Sequence, residues 1–205
     1  MDGSKGVTGV ILAGGRSRRL GRDKRLEPFA GETLFARVAK RLDEVCDEVV
    51  AVAADEESKA ALPHVEAVRV VNDVYPDRGS LGGIYSGLAA ASNTWAIVVA
   101  TDMPFLNTRL LAHLFSLREG YDAVVPIVEG FPEPTHAAYA KACLKPIEAR
   151  IQRSDLKIAK FFDDVRVRFV EEAELRRFDP DLDSFFNVNT PEDLERAQSL
   201  ARQGR

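Results

Sequence analysis

Val7-Thr8-Gly9-Val10-Ile11-Leu12 runs directly into Ala13-Gly14-Gly15-Arg16-Ser17-Arg18-Arg19-Leu20-Gly21, and Asp23-Lys24 follow. The first part is apolar and β-branched, broken only by Gly9, which predicts a strand. The second part is a loop rich in glycine and arginine. Adjacent glycines let a backbone turn sharply and approach a ligand closely. Successive N–H groups in such a turn can point inward as a nest for an anion, and Arg19 and Lys24 can bring positive side chains over it. A Walker A loop needs a Gly-Lys-Ser/Thr ending, and the dinucleotide fingerprint needs G-x-G-x-x-G; neither is here. On the residues alone two readings stand. One is an anion-binding loop at the carboxyl end of a strand, where open α/β sheets bind ligands. The other is a surface loop with solvent-facing arginines. Arg16, Arg18, Arg19, Arg22, Lys24 and Arg25 crowd together, which calls for an anionic partner or bulk water.

Downstream, apolar runs alternate with helical patterns. After Thr33, residues Leu34, Phe35, Val38, Ala39 and Leu42 recur at helical spacing. Residues 49–53 predict a second strand, 55–62 a short polar helix stopped near Pro63, and 67–71 a third strand. Residues 72–83 carry Pro76, Gly79, Gly82 and Gly83 and read as turns, with a helix over 84–91. Trp95–Ala100 is almost wholly apolar, the mark of a central strand buried on both faces. Thr101-Asp102-Met103-Pro104 ends it, and a helix over 106–117 follows. This alternation predicts βαβ units in a mainly parallel sheet of about six or seven strands, with helices on both faces. Residues 7–12 and Trp95–Ala100 are expected as parallel neighbours. Further on, 123–126 reads as a strand and 141–151 as a helix. Val165, Val167 and Phe169 alternate with Arg166 and Arg168, which predicts a strand near an edge. The last helix starts with Thr190 as N-cap, Pro191 at N1 and Asp193 three beyond the cap. Without an internal repeat or a low-complexity linker, residues 1–205 read as a single domain.

Hydrophobic residues make up 45% and charged residues 29% of the 205, the balance of a soluble globular chain. No run approaches the roughly 18 apolar residues of a membrane span, and the N-terminal residues lack a signal peptide's apolar segment. The net charge of -4, from 28 basic and 32 acidic residues, opposes a general nucleic-acid binder, which is basic overall. Cys46 and Cys143 give no disulfide framework and, with three scattered histidines, no structural zinc site. They read as buried small hydrophobes. The expectation is a cytoplasmic protein with no membrane and no nucleic-acid partner.

The run Leu12 to Gly21, with Asp23-Lys24 behind it, resembles the signature of molybdenum cofactor guanylyltransferases, which belong to the Rossmann-like nucleotidyltransferases. Two further stretches carry the resemblance. Thr101-Asp102-Met103-Pro104 stands where those enzymes have an aspartate before proline. Phe185-Phe186-Asn187-Val188-Asn189-Thr190-Pro191-Glu192-Asp193-Leu194 is similar to their run of phenylalanine, asparagine, apolar residue, asparagine, threonine, proline and acidic residue. The resemblance implies a three-layer α/β/α sandwich around a mainly parallel, Rossmann-like sheet of the nucleotide-diphospho-sugar transferase-like kind. It implies that Leu12, Ala13 and Gly14 wrap the nucleotide, that Lys24 contacts its phosphates, and that Arg19 neutralises charge during transfer. It implies Asp102 as the ligand of Mg²⁺. Gly15, where the cytidylyl relatives have alanine, favours guanine, since a missing Cβ leaves room for a purine. Asp73 carries over as a contact to the guanine, and Gly82 with its neighbouring glycines as base-pocket wall. Ser80 departs from the pattern by replacing a proline. Asn187 and Asn189 are implied on the acceptor side of the cleft. On the residues alone, Asp73 has a second reading as an Asx-turn before packing glycines, and Asp102 a second reading as a cap for the helix near Asn107 or a brace for a turn.

The implied reaction moves GMP from GTP to the terminal phosphate of molybdopterin, and pyrophosphate leaves. A phosphate monoester is already a competent nucleophile, so the task is to align two anions and neutralise charge. Mg²⁺ held by Asp102 and phosphate oxygens, with Lys24 and Arg19, suits it. The N-terminal half is expected to bind GTP and the C-terminal half molybdopterin. Besides these small molecules, the resemblance implies transient contacts with cofactor-synthesis proteins and apo-molybdoenzymes. His136 is a conceivable base that the reaction does not require, and Glu133 stands where His or Gln is common. Arg150, Arg153, Lys157 and Lys160 read as solubilising charges or as contacts to the pterin phosphate. The alternatives are a related cytidylyltransferase or sugar-phosphate nucleotidyltransferase, and a catalytically silent nucleotide-binding protein. Intact Lys24, Asp102 and the Asn187/Asn189 pair count against the last.

Overall fold

A computed structural model of the chain describes residues 6–14 and 23–203, and of Lys24 the backbone alone. The strands are β1 (Thr8–Leu12), β2 (Pro28–Phe29), β3 (Glu32–Thr33), β4 (Glu48–Ala53), β5 (Val68–Asn72), β6 (Trp95–Ala100), β7 (Ala123–Val128), β8 (Phe131–Pro132), β9 (His136–Ala140) and β10 (Val167–Val170). The helices are α1 (Leu34–Asp43), α2 (Glu56–Ala61), α3 (Gly79–Ala90), α4 (Thr108–Ser116), α5 (Leu144–Gln152), α6 (Ile158–Phe161), α7 (Glu172–Leu175) and α8 (Pro191–Arg202).

The main sheet has the order β10-β7-β9-β6-β1-β4-β5, with β8 added to β7. The apolar strand β1 lies inside it, third from the β5 edge. It pairs in parallel with β4 and β6, so that Leu12 sits level with both Val52 and Ala100. The β4–β5 and β7–β10 pairs are parallel too. Only the return after β7 breaks the pattern. The chain reverses at Glu129 and Gly130, both at positive φ, and comes back without a crossover helix. A strand entering this way must run antiparallel, and β9 does so between β6 and β7.

Alternation along the strands divides the core. Ile11, Ile97 and Val99 face a layer containing Phe35 and Val38 of α1 and Leu110 of α4. Val10, Ala96 and Val98 face the opposite layer, with Ile84 and Leu88 of α3 and Ile147 of α5. These are the two faces that a period of two assigns to a strand. A third, smaller cluster joins Phe29, Leu34, Phe105, Val188, Leu194 and Ala197, and so docks α8 onto the β2–β3 hairpin. Among the described residues, no helix is long and apolar enough to cross a membrane.

Two expectations need correction. Residues 13–29 read as a loop in the sequence, but Lys24–Leu26 forms a 3-10 turn and β2, within the same stretch, pairs with β3. Gly79 to Gly83 is also no loop, because α3 begins at Gly79. Glycine is a poor helix former, but tertiary contact wins here. A Cβ on Gly87 would lie 2.3 Å from Val10 Cγ1, and one on Gly83 would lie 3.0 Å from Leu12 Cδ2. The missing side chains let α3 press against β1.

Candidate active site at the carboxyl ends of the strands

A cleft of about 950 Å³ opens at the carboxyl ends of β1, β4 and β6. Leu12, Ala13 and Gly14 form its floor, Val52, Ala54 and Asp55 one flank, and Thr101 and Asp102 the other. Asp73, Gly79, Ser80 and Gly83 wall it on the β5–α3 side, and Thr135 and Asn187 on the β9 side. The strand order dictates this layout, because β1 lies between β4 and β6.

Asp102 is 8% exposed and is held from two directions. The Thr101 hydroxyl donates to the Leu12 carbonyl at 2.9 Å, and the Val188 N–H donates to the Asp102 carbonyl at 2.9 Å. Arg37 Nε fixes the following turn through the Pro104 carbonyl, 2.7 Å away. The capping alternative is answered locally. Asn107 Oδ1 accepts from the N–H groups of Arg109 and Leu110, so α4 carries its own N-cap.

Asp73 forms the Asx-turn and also stands on the cleft wall. Its Oδ1 accepts from the Tyr75 N–H at 3.0 Å, an Asx-turn, and from the Ser86 hydroxyl at 2.7 Å, yet the residue still lines the cleft. The Tyr75 hydroxyl donates to Glu148 at 2.9 Å, which ties this loop to α5; that contact pushes the phenol up to about 12. Gly82 does not line the cleft. It backs the loop from behind, where a Cβ would meet the Tyr75 carbonyl at 2.6 Å. The wall itself is made by Gly79, Ser80 and Gly83, at an α3 N-terminus that Arg78 does not cap with its side chain.

Asn187 reaches the cleft, its amide nitrogen anchored to the Phe185 carbonyl at 3.0 Å. Asn189 is exposed and does not line the cleft; its N–H donates to Asp193 Oδ2 at 3.0 Å. That carboxylate also completes a capping box with Thr190. Gly15 and Arg19 lie outside the described residues, as does the side chain of Lys24.

Arg25 is the residue that sequence reasoning misplaced. It is only 6% exposed, it lines the cleft, and its fork grips the Asp23 carboxylate at 2.8 and 2.5 Å. The side-chain hydrogen bond from Arg25 holds the Asp23 carboxyl below its ordinary range. The usable signal was the acidic residue two positions earlier. His136 is fully buried in β9, beside the Phe185 ring and 3.4 Å from the Ser184 hydroxyl; burial lowers it to about 3, which leaves a neutral, very weakly basic packing group. Burial likewise holds Glu133 above the usual carboxylate range, with Glu129 adding to it. Both cysteines are buried and unbridged. Arg150 pairs with Asp155 and Asp164, and Lys160 with Asp155, as helix-surface ion pairs.

Among the described residues, no three His, Cys, Asp or Glu side chains gather into a metal cage. Asp102 offers one hard oxygen ligand group at the cleft edge. That donor set suits a cation whose other ligands are phosphate oxygens and water, the habit of Mg²⁺.

Sheet order and cleft together define the class: a nucleotidyltransferase on the nucleotide-diphospho-sugar transferase-like fold. The sequence profile of the MobA-like NTP transferase domain matches residues 9–168, and the chain belongs to that family. It is 40% identical to the probable molybdenum cofactor guanylyltransferase of Pelotomaculum thermopropionicum, over 97% of this chain and 95% of that one. It is 37% identical to the molybdenum cofactor guanylyltransferase of Desulfosudis oleivorans, over 97% and 98%. It superposes on the crystal structure of molybdopterin-guanine dinucleotide biosynthesis protein A from Archaeoglobus fulgidus with a TM-score of 0.85 and 32% identity, covering 96% of this chain and 99% of that one.

Proposed function

We propose that this single domain transfers GMP from GTP to the terminal phosphate of molybdopterin, releasing pyrophosphate, in the cytoplasm. One observation carries the reading. Two hydrogen bonds, Thr101 to Leu12 and Val188 to Asp102, draw three separate sequence motifs to one cleft.

The layout supports a division of parts. The base lies on the β4–β5 side, between Ala54, Asp73 and the glycine-bearing start of α3. Gly15, on the same reading, leaves space for a purine. The triphosphate lies over the turn after β1, where Gly14 offers the first backbone N–H group beyond the sheet, Ala13 donating its own to the Val52 carbonyl at 2.9 Å, and Lys24 and Arg19 add positive charge. Asp102 stands on the far flank, with Asn187 beside it on the acceptor side. Asn189 supports that side from outside the cleft, through the start of α8. An acceptor phosphate oxygen attacks the α-phosphorus, the bond to the β-phosphate oxygen breaks, and pyrophosphate departs. The cleft contributes alignment and fixed charge rather than a proton relay. Mg²⁺, held by Asp102, supplies Lewis-acid neutralisation of the phosphate oxygens when bound. The N-terminal half thereby serves GTP and the C-terminal half molybdopterin. Delivery of the product implies transient contacts with cofactor-synthesis proteins and apo-molybdoenzymes.

Pyrophosphate release with molybdopterin, compared across GTP, CTP, ATP and UTP, tests the reading. GTP should be used well ahead of the others. A preference for CTP would move the chain to the cytidylyl reading, and no release with any nucleotide would support the silent one.

A further inference from the structure

Arg25 is almost fully buried, an uncommon state for a guanidinium. Three of its contacts reach different places. Its Nη1 donates to the Ala13 carbonyl at 2.7 Å and to the Ser58 carbonyl in the first turn of α2 at 3.5 Å, while Nε and Nη2 fork onto Asp23. The backbone N–H of Arg25 adds a bond to Asp23 at 3.0 Å. Ala13 is the last residue before the glycines and Asp23 lies just before Lys24, so this guanidinium joins the two ends of the loop across 12 positions. Resting on the nucleotide reading above, we infer that Arg25 is a positioning residue for the polyphosphate. It locks the exit of the loop onto its entrance and aims the first donor.

The aiming follows from peptide geometry. A trans peptide holds its C=O and N–H in opposite directions, and no cis bond occurs among the described residues. Fixing the Ala13 oxygen on Arg25 therefore fixes the direction of the Gly14 N–H. It also takes a carbonyl dipole that would repel an anion and satisfies it inside the protein. Arginine alone suits the task. Its planar fork grips a carboxylate with two donors and keeps others for the carbonyls, whereas lysine carries one compact charge. The contact with α2 couples the loop to the β4 flank of the cleft.

The test uses inorganic pyrophosphate and guanosine as separate probes in isothermal titration of the full chain, each variant checked by thermal melt. Arg25→Met should weaken pyrophosphate and GTP binding about tenfold or more, the scale of one charge-assisted hydrogen-bond set, and leave guanosine binding within about twofold. Arg25→Met leaves Asp23 without its partner and is the variant most at risk of misfolding. Asp23→Asn with Arg25→Met removes both charges, and Arg25→Lys keeps charge and stem; both should show the same selective loss. A folded variant of either kind that binds pyrophosphate as tightly as wild type overturns the inference, as does equal loss of pyrophosphate and guanosine. A wild-type chain that binds neither GTP nor pyrophosphate instead contradicts the nucleotide reading, and this inference falls with it.

Discussion

The N–H of Val188 donates to the carbonyl of Asp102 at 2.9 Å, fastening the C-terminal segment to the turn that ends β6. The Val188 side chain is fully buried with Phe29, Leu34 and Leu194. Packing of α8 on the β2–β3 hairpin therefore sets where Asn187 stands. Apolar burial at Val188 and Leu194 is thus converted into the position of a polar side chain beside the carboxylate.

Two glycines should separate function from folding. A Cβ on Gly14 would lie 3.5 Å from the Ala54 nitrogen, an ordinary contact, while one on Gly87 would lie 2.3 Å from Val10. Gly14→Ala should melt like wild type but lose GTP affinity, because a methyl group enters the cleft floor. Gly87→Ala should lose about 1–3 kcal/mol of stability, as overpacked cores do. Melting curves and GTP titrations of both variants check this; a destabilised Gly14→Ala with normal GTP binding would contradict it.

Lys24 and Asn187 should differ in kind. Lys24→Ala removes a proposed phosphate contact present before and during transfer. GTP affinity and turnover should then fall together, by about tenfold or more. Asn187→Ala should keep GTP affinity and raise KM for molybdopterin. Calorimetry beside steady-state kinetics distinguishes them. Tight GTP binding by the lysine variant would remove it from the site.

Much of this arrangement is legible in the sequence, for definite reasons. The apolar runs of β1 and β6 declare buried central strands, and Asp102 sits where such a strand must end. Thr190, Pro191 and Asp193 announce α8 because capping is a local matter. What stayed hidden depends on distant partners. The start of α3 at Gly79 is concealed by glycines whose reasons are distant in sequence or local to the loop: Gly83 lies against Leu12 and Gly82 against the Tyr75 carbonyl. The antiparallel β9 follows from a reversal at Glu129 and Gly130 that composition does not single out. Arg25 reads as one more exposed cation until Asp23, Ala13 and Ser58 are seen around it.

His136 should leave a mark on acid stability. Burial lowers it from 6.5 to about 3. Its folded value lies below its unfolded one, so the unfolded chain binds the extra proton. The associated stability is present above the unfolded value and is lost as pH falls from 6.5 towards 3. One such proton gives a slope of about 1.4 kcal/mol per pH unit. Between pH of about 4.5 and 6, above most carboxylates, His136→Gln should show a shallower fall in urea midpoint than wild type. An unchanged slope would assign the acid sensitivity to other groups.

The central claim is that Asp102 anchors catalysis at the carboxyl edge of the sheet. Asp102→Asn keeps the size of the side chain and removes the charge that a hard cation needs. Its backbone bond to Val188 does not depend on the carboxylate, so the fold should persist. The decisive measurement is the steady-state rate with GTP and molybdopterin across a magnesium titration, with a thermal melt as folding control. The expected result is a wild-type melt with a loss of roughly 10²-fold or more in turnover, the scale of removing one strong electrostatic contact from a transition state. Near wild-type turnover with unchanged magnesium dependence would make Asp102 a structural residue and place the catalytic centre elsewhere.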